Sequence, residues 1–437
     1  MNHKIKITLL YIMGFVIVQL PLHAQTSQKI NLQNAIDLSI KNSNNLKIAD
    51  SKVLQASADV QEAKDRKLPS ASVSASYLRL SSANVDLKSA QNNSRQSPKV
   101  NQAVYGIANV TMPLYSGGRI RYGIESAEYL EKAAMLNVEN DKEGVVYNTI
   151  QAYTNLYKSA KTVDVIKENL NASIQRDSML ARLEQNGILA RNDLLKAQLK
   201  TSNIELTLLD AQNNFNIANI NMALLLGLPE NILIEIDSNF VNIIQQLKPF
   251  IEMENMALQN RKDVQAIAFQ KKAAAIGVKV AKAEAYPTIA LTGGYIAADI
   301  PKLLTVTNAI NIGLGVQYNI ASLWKNNTKL TQAKARVVEL NATEMLINDG
   351  IKLQLNKDYQ NYLFAKKKIN VYEKSISQAT ENYRITKNKY DNNLVTITDL
   401  LEADVSLLQA KLNASVAKAD AALAYNKILS TAGTLSK

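Results

Sequence analysis

The sequence contains no cysteine, and its two histidines, His3 and His23, lie close to the N-terminus. Without cysteine the chain cannot form a disulfide, a thiol nucleophile or a lipid anchor on an N-terminal cysteine. A chain with histidine only at its start also lacks ligands for zinc fingers or haem, and the base of a histidine-dependent triad. We therefore predict that the protein is not an enzyme and holds no metal and no cofactor.

Proline and glycine are also scarce, with 8 prolines and 15 glycines in 437 residues, which is about half their usual share. No proline occurs from Ile120 to Leu228, or from Lys302 to the end. Because these two residue types are the ones that interrupt helices, both stretches predict long helices. The predicted fold class is mainly α with a small β part.

The first 24 residues have the pattern of a signal peptide. Lys4 and Lys6 precede an apolar stretch at 9–18, and the small residue Ala24 follows a polar break. This order is typical of a secretory leader, and the apolar stretch is shorter than a membrane-spanning helix. The formal net charge of +12 comes without an aromatic and basic cluster, so it indicates a solvated helical surface rather than nucleic-acid binding.

The chain carries a large internal duplication. The matched segments are Leu68-Pro69-Ser70 with Tyr286-Pro287-Thr288, at an offset of 218, and Asn192-Asp193-Leu194-Leu195 with Thr398-Asp399-Leu400-Leu401, at an offset of 206. Gly227 and Gly433 keep the second offset. Repeats of this size predict two copies of one unit. We assign the first repeat to 25–228, a linker to 229–250 and the second repeat to 251–437.

Each repeat contains two short segments with the alternation of β-strands. We predict strands at about 71–80, 103–112, 288–297 and 309–319; in the last, Ile310, Ile312 and Leu314 alternate with small or polar residues. A membrane-spanning strand and a half-buried strand of a soluble sheet both alternate in this way. Four strands cannot close a barrel, and lipid does not tolerate open edges. If the strands lie in a membrane, several chains must share one barrel.

The rest of each repeat has the spacing of long amphipathic helices. A four-three apolar spacing runs from Ala197 to Leu225 and again from Ala403 to Ile428, as in coiled coils, although an ordinary helical bundle needs the same stripe. The segment Arg121 to Gln185 predicts one helix of roughly 100 Å at 1.5 Å per residue. The flanking helices, Asp37 to Leu68 and Leu194 to Leu226, are each about half as long.

These features together resemble the TolC family of outer membrane efflux proteins. The resemblance rests on the leader, the duplication, the helix-strand-strand-helix order and the paired turns. It rests also on one motif after a strand, Pro113-Leu114-Tyr115-Ser116-Gly117-Gly118-Arg119. The second copy departs from this motif, with Asn319-Ile320-Ala321-Ser322-Leu323-Trp324-Lys325 in its place. The resemblance implies a homotrimer with a twelve-stranded outer-membrane β-barrel and a long periplasmic α-helical, coiled-coil barrel.

The implied function is an exit duct for efflux or type I secretion, in the outer membrane and extending into the periplasm. The duct would work passively with a periplasmic adaptor and an inner-membrane pump as partners, because the chain has no P-loop or other nucleotide motif. The resemblance also implies contact with outer membrane lipid, and we expect no nucleic-acid partner. The alternative is an envelope-spanning structural coiled coil or adhesin-like stalk that has no transport lumen.

The resemblance places a constriction at the periplasmic turns. Asp399 and Glu402 match positions that form acidic rings in the trimers of the family, and residues three apart share one helical face. Such rings would favour cations at the mouth of a channel. A competing interpretation is that Thr396 is a helix N-cap and Asp399 the acidic residue of the first turn.

Three further residues are candidates for a gate. Tyr390 matches the gate tyrosine of the family, and Asp193 is the counterpart of Asp399 in the first turn. The gate arginine is absent, because Val395 occupies its position. We predict that Arg191, in the opposite turn, takes over its role.

Overall fold

The structure is a computed structural model that describes residues 27–83, 100–242, 246–301, 303–323 and 328–435. The predicted signal peptide, 1–24, lies outside the described residues. The chain divides into two compact units. The helical unit comprises Met1–Asn44, Lys142–Ala257 and Leu353–Lys437, and the sheet unit comprises Asn45–Asp141 and Leu258–Lys352.

The described residues are mostly helical, with a smaller β part. The helices are α1 (Leu32–Asn42), α2 (Asn44–Asp65), α3 (Arg119–Gln185), α4 (Arg191–Leu226), α5 (Phe250–Asn260), α6 (Lys262–Ala283), α7 (Thr328–Asp391) and α8 (Ile397–Thr431). The strands are β1 (Ser27–Ile30), β2 (Ser70–Ala83), β3 (Val100–Tyr115), β4 (Leu233–Ile236), β5 (Thr288–Ile300) and β6 (Leu304–Gln317). Short 3-10 helices cover Ser238–Asn242 and Ile320–Leu323.

The long helices occur where proline is missing. Helix α3 has 67 residues and α7 has 64, in agreement with the predicted long helix at 121–185. The prediction of one helix at 37–68 is wrong, because the chain breaks at Ser43, whose ψ of 117° is extended. Ser43 lies in an Asn-Ser-Asn run, and these side chains compete for backbone hydrogen bonds and weaken helix interiors. None of the described helices combines the length and apolarity needed to cross a membrane.

The four long strands form one antiparallel sheet in the order β2-β3-β5-β6. Its register sorts the side chains of all four strands onto two different faces, since directly paired residues point the same way. One row joins Val73, Ala108, Tyr295 and Ile310, and the next joins Ser72, Asn109, Gly294 and Asn311. In these rows one face of the sheet is therefore apolar and the other is polar or small, whereas two residues further along β3 the second face carries Ile107 paired with Ile296.

The core of the helical unit forms around Tyr153. Its hydroxyl donates to the Ile30 carbonyl at 2.9 Å and accepts from the Asp237 amide at 3.0 Å, and its ring packs edge-on to Phe240 at 5.1 Å. Burial raises the pKa of this hydroxyl to about 12. Strand β1 pairs in parallel with β4, so Tyr153 and this short sheet hold the start of the described chain in place.

The duplication is visible in the backbone at the ends of two helices. Gly227 and Gly433 follow α4 and α8 and have φ values of 69° and 66°. The amide of the following residue donates a hydrogen bond to the carbonyl five residues earlier. The distance is 2.9 Å both for Leu228 and for Thr434. A left-handed glycine with this bond is a standard helix C-cap. The offset of 206 residues therefore relates equivalent structural positions.

Candidate functional site

Two turns of the helical unit contain the candidate site residues. Residues 186–190 join α3 to α4, and residues 392–396 join α7 to α8. The left-handed position is occupied by Gly187 (φ 73°) in the first turn and by Asn393 (φ 59°) in the second. In each turn the amide of the residue after this position donates a hydrogen bond to the carbonyl five residues earlier, at 2.9 Å. Asparagine is one of the few residues other than glycine that tolerates this conformation, so both repeats build the same turn.

A shared apolar cluster brings the two turns together. Its buried members come from three helices of the two hairpins: Leu180, Leu194, Ala197, Ile397, Leu400 and Leu401. Tyr390, at the end of α7, packs against this cluster. Burial raises the pKa of Tyr390, and the negative charges of Asp193 and Asp391 raise it further. Tyr390 and Asp193 therefore lie in one electrostatic neighbourhood, although they belong to different repeats.

Asp399 makes a capping box at the start of α8. The Thr396 amide donates to the Asp399 carboxylate at 2.8 Å, and the Asp399 amide donates to the Thr396 hydroxyl at 3.3 Å. The hydrogen bonds from the Thr396 hydroxyl and amide lower the pKa of Asp399. Asp399 and Glu402 are both exposed, one turn apart on the same helix. The capping interpretation is confirmed, and it leaves the charge of Asp399 at the surface.

Arg191 and Asp193 form ion pairs inside the first hairpin. The Arg191 guanidinium is 3.2 Å from the Glu184 carboxylate, and Lys196 is 3.2 Å from Asp193. The Arg191 side chain is 73% exposed. Val395, at the position of the missing gate arginine, is half-buried in the second turn. Arg191 thus lies at the tip, where it pairs within its own hairpin.

The structure adds a buried polar cluster that the sequence analysis missed. Arg176 of α3 donates to Asp404 of α8 at 3.0 Å, and both side chains are 8% exposed. The same guanidinium donates to the Ser173 hydroxyl at 3.0 Å, and that hydroxyl is 2.6 Å from the hydroxyl of Thr201 on α4. The cluster therefore links three helices of the two repeats.

The positions of the two turns in the sequence could have indicated this pair. Arg176 lies eleven residues before Gly187, and Asp404 lies eleven residues after Asn393. Equal distances from two equivalent turns place opposite charges at the same height on α3 and α8. Among the described residues, no group of three or more histidine, cysteine, aspartate or glutamate side chains is arranged to hold a metal ion.

Comparison with known proteins identifies the family. The sequence model of the outer membrane efflux protein family matches residues 35–228 and 254–434, so the chain belongs to this family. Among curated proteins, the toxin and drug export protein A of Aggregatibacter actinomycetemcomitans is 22% identical over 339 residues, which is 70% of this chain and 69% of that protein.

Solved structures of outer membrane channels share the fold. The outer-membrane channel OprN matches with a TM-score of 0.77 at 17% identity, over 92% of this chain and 89% of that one. The CmeC outer membrane channel of Campylobacter jejuni matches with a TM-score of 0.75 at 20% identity, over 92% and 86%. VceC of Vibrio cholerae gives 0.75 at 18% identity, over 92% and 96%.

The resemblance to the TolC family is thus confirmed. The protein is a member of the outer membrane efflux protein family and has the fold of outer membrane channels. Its family and fold are those of outer membrane channels, which are not enzymes.

Proposed function

We propose that three copies of this chain form one passive export duct, and the open edges of the sheet carry this proposal. Within the described residues, β2 and β6 each pair on one side only. An open sheet edge in lipid leaves backbone groups without hydrogen bonds, which lipid does not tolerate. Pairing of β6 with β2 of the next copy removes every edge, and three copies of four strands give a twelve-stranded barrel.

The apolar face of the sheet supports the membrane location of this barrel. Ile310 and Ile312 are 80% and 81% exposed in the single chain, and Leu314 and Val316 are 68% and 69% exposed. Each such side chain is worth about 1.5–3 kcal/mol when it leaves water. Lipid covers this face in the proposed assembly, and the polar face of Ser72, Asn109 and Asn311 lines the lumen.

The helices also leave an apolar stripe without a partner in the single chain. Helix α4 exposes aliphatic side chains at spacings of three, four, seven and eight residues: Leu195, Leu199, Leu206, Leu209, Ile217, Ile220 and Leu224. Such spacings place the side chains along one side of a helix, where they can form a packing seam. Neighbouring copies cover the seam in the proposed trimer, and the helices together enclose a periplasmic tunnel.

The duct itself performs no chemistry in this proposal. A pump of the inner membrane supplies the energy and a periplasmic adaptor connects the pump to the turns, which carry the acidic positions Asp399 and Glu402. The related toxin and drug export protein A supports toxins and drugs as cargo. A stalk without a lumen leaves the polar face of the sheet unexplained.

Disulfide trapping tests the shared barrel, because the natural chain has no cysteine that could give background. Cysteine is introduced on the two sheet edges, as Ser72→Cys, Ser74→Cys or Ser76→Cys with Asn311→Cys. We expect trimers linked between copies in outer membrane fractions, and steady conductance of the purified protein in planar bilayers. Each single variant is the control. Absence of both crosslinks and conductance would favour the stalk.

A further inference from the structure

Four helix ends meet the sheet at one end. Helices α2 and α6 lead into β2 and β5, while β3 and β6 lead into α3 and α7. The register pairs Ser70 with Thr111, and Thr288 with Gln317. The residues just outside these pairs therefore form one layer of the sheet unit, on the side from which the helices extend.

Tyrosines occupy the border of the sheet at this end. Tyr115 ends β3, Tyr286 precedes β5 and Tyr318 follows β6. Their exposed fractions are 47%, 56% and 41%. Tyrosine is enriched at membrane interfaces, where the ring contacts the acyl chains and the hydroxyl reaches water. These three residues mark the boundary between the apolar face of the sheet and the helices.

Basic residues dominate the next layer. In segments 59–67, 119–128, 276–286 and 328–339, ten exposed cations face seven carboxylates, for a net charge of +3. We call the ten the cationic collar: Lys64, Arg66, Lys67, Arg119, Arg121, Lys279, Lys282, Lys329, Lys334 and Arg336. The whole chain of 437 residues has a net charge of only +12. These 42 of 437 residues thus hold a quarter of the net charge.

Most of the collar is not neutralised by its own unit. Four of the cations form ion pairs, with Glu128, Glu62, Glu284 and Glu339. In the described part of the chain, the other six have no carboxylate within ion-pair distance. Two of them, Arg121 and Lys279, lie 5.0 and 5.7 Å from the ring of Tyr122. Such contacts hold a cation near the interface without cancelling its charge.

We infer that the collar binds the phosphates of anionic phospholipids in the periplasmic leaflet of the outer membrane. Along the sheet unit the apolar face comes first, then the tyrosines, then the cations. This order matches that of the acyl chains, the interface and the headgroups of a membrane leaflet. Long basic side chains extend their charge to the headgroups in this position, and each cation near an anionic lipid surface is worth about a fivefold preference. This inference rests on the proposed placement of the sheet in the membrane.

The side of the sheet on which the collar lies determines which membrane leaflet, and so which lipid, it meets. In the proposed duct the helices extend into the periplasm, so the helix side of the sheet faces the inner leaflet of the outer membrane. Phosphate of lipopolysaccharide, on the opposite leaflet, is the alternative that the test must separate.

Lipid retention by the full-length protein tests the inference. The purified protein is incubated with equal amounts of phosphatidylglycerol, phosphatidylcholine and lipopolysaccharide, and bound lipids are counted by native mass spectrometry. The collar variant combines Arg119→Gln, Arg121→Gln, Lys279→Gln and Lys282→Gln. The matched control combines four exposed lysines of α7 in the helical unit: Lys366→Gln, Lys367→Gln, Lys374→Gln and Lys389→Gln. Both variants lose four positive charges.

We expect the natural protein and the control to retain phosphatidylglycerol in preference, and the collar variant to lose this preference by at least about fivefold. Higher salt should reduce the preference, since it screens exposed charges. Equal retention of both phospholipids by the natural protein, equal loss in the control, or stronger retention of lipopolysaccharide would overturn the inference. Conductance of the collar variant in planar bilayers separates the two proposals. A variant that conducts and retains lipid like the natural protein would rule out lipid binding by the collar and would still support the export duct.

Discussion

Arg176 and Asp404 form a buried ion pair between the two repeats, with 3.0 Å between guanidinium and carboxylate and 8% exposure of each side chain. Arg176 belongs to α3 and Asp404 to α8, so the pair connects one hairpin to the other. The Asn169 amide also approaches Asp404, at 3.5 Å. Because a buried ion pair is seldom a large net source of stability, we expect this pair to set the register of α3 against α8.

Breaking this pair from one side should destabilise the packing of the hairpins. For Arg176→Met we expect a loss of about 3–5 kcal/mol, since Asp404 keeps its charge in a buried place. Replacement of both, Arg176→Met with Asp404→Leu, should recover most of this loss because no charge is left unpaired. Hydrogen exchange of α3 and α8 and urea unfolding of the purified protein measure both effects.

The chain offers an exposed pair on the same two helices as a control. Lys411 of α8 is 2.8 Å from Glu168 of α3, with side chains 39% and 70% exposed. Exposed pairs contribute about 0–1 kcal/mol, so Lys411→Met should change little. Equal effects of Arg176→Met and Lys411→Met would contradict the special role of burial.

The carboxylates of the second turn should control cation block of the channel. We expect Asp399→Asn with Glu402→Gln to weaken block of single-channel current by multivalent cations at pH 7 by about tenfold or more, because three copies of each charge would act together in the proposed trimer. Asparagine retains an oxygen that can accept the Thr396 amide, so the start of α8 remains capped. The lowered pKa of Asp399 keeps the natural carboxylate ionised at this pH.

A carboxylate elsewhere on the same hairpin provides the comparison for this measurement. Glu373 is an exposed residue of α7 far along the chain from the turn, and Glu373→Gln should leave the block unchanged. Unchanged block in the double variant would remove the acidic ring assignment of Asp399 and Glu402.

Arg191 is the predicted replacement for the gate arginine, and its partner in the single chain is Glu184. If Arg191 holds the resting duct closed through another hairpin, Arg191→Ser should raise the resting conductance several-fold. Glu184→Gln separates the two roles, because it removes the local ion pair and leaves the arginine. An unchanged conductance in Arg191→Ser, or the same rise in both variants, speaks against the gate.

Gly117 should be required for the turn between β3 and α3. Its φ is 63°, and an added Cβ would lie 2.6 Å from the Cβ of Tyr286. We expect Gly117→Ala to cost about 1–2 kcal/mol for the left-handed backbone, with the clash in addition, and to reduce the yield of folded protein. Gly123, in α3, has open space around it, and Gly123→Ala should not lower the yield. Similar yields of both variants would show that the turn adapts.

Some of the candidate site could be predicted from the chain alone. The 206-residue offset relates Asp193 to Asp399, and the structure shows equivalent turns at Gly187 and Asn393. The roles of Tyr390, Arg191 and the acidic pair stay predictions, since they depend on contacts between copies. Arg176 and Asp404 escaped notice because each is an ordinary charged residue on a helix, and only packing buries them.

The sequence by itself determined the mainly helical fold, the duplication and the four strands. These are local or periodic properties: the absence of proline permits long helices, and alternation with period two defines a strand. The tertiary structure decided which segments pair and pack, which the periodicity of the sequence alone leaves open. The register placed Val73, Ala108, Tyr295 and Ile310 in one row, and the chain path brought the cations of four separate helix ends into one layer. Both results depend on which distant segments meet, because pairing and packing join residues that the order of the chain keeps apart.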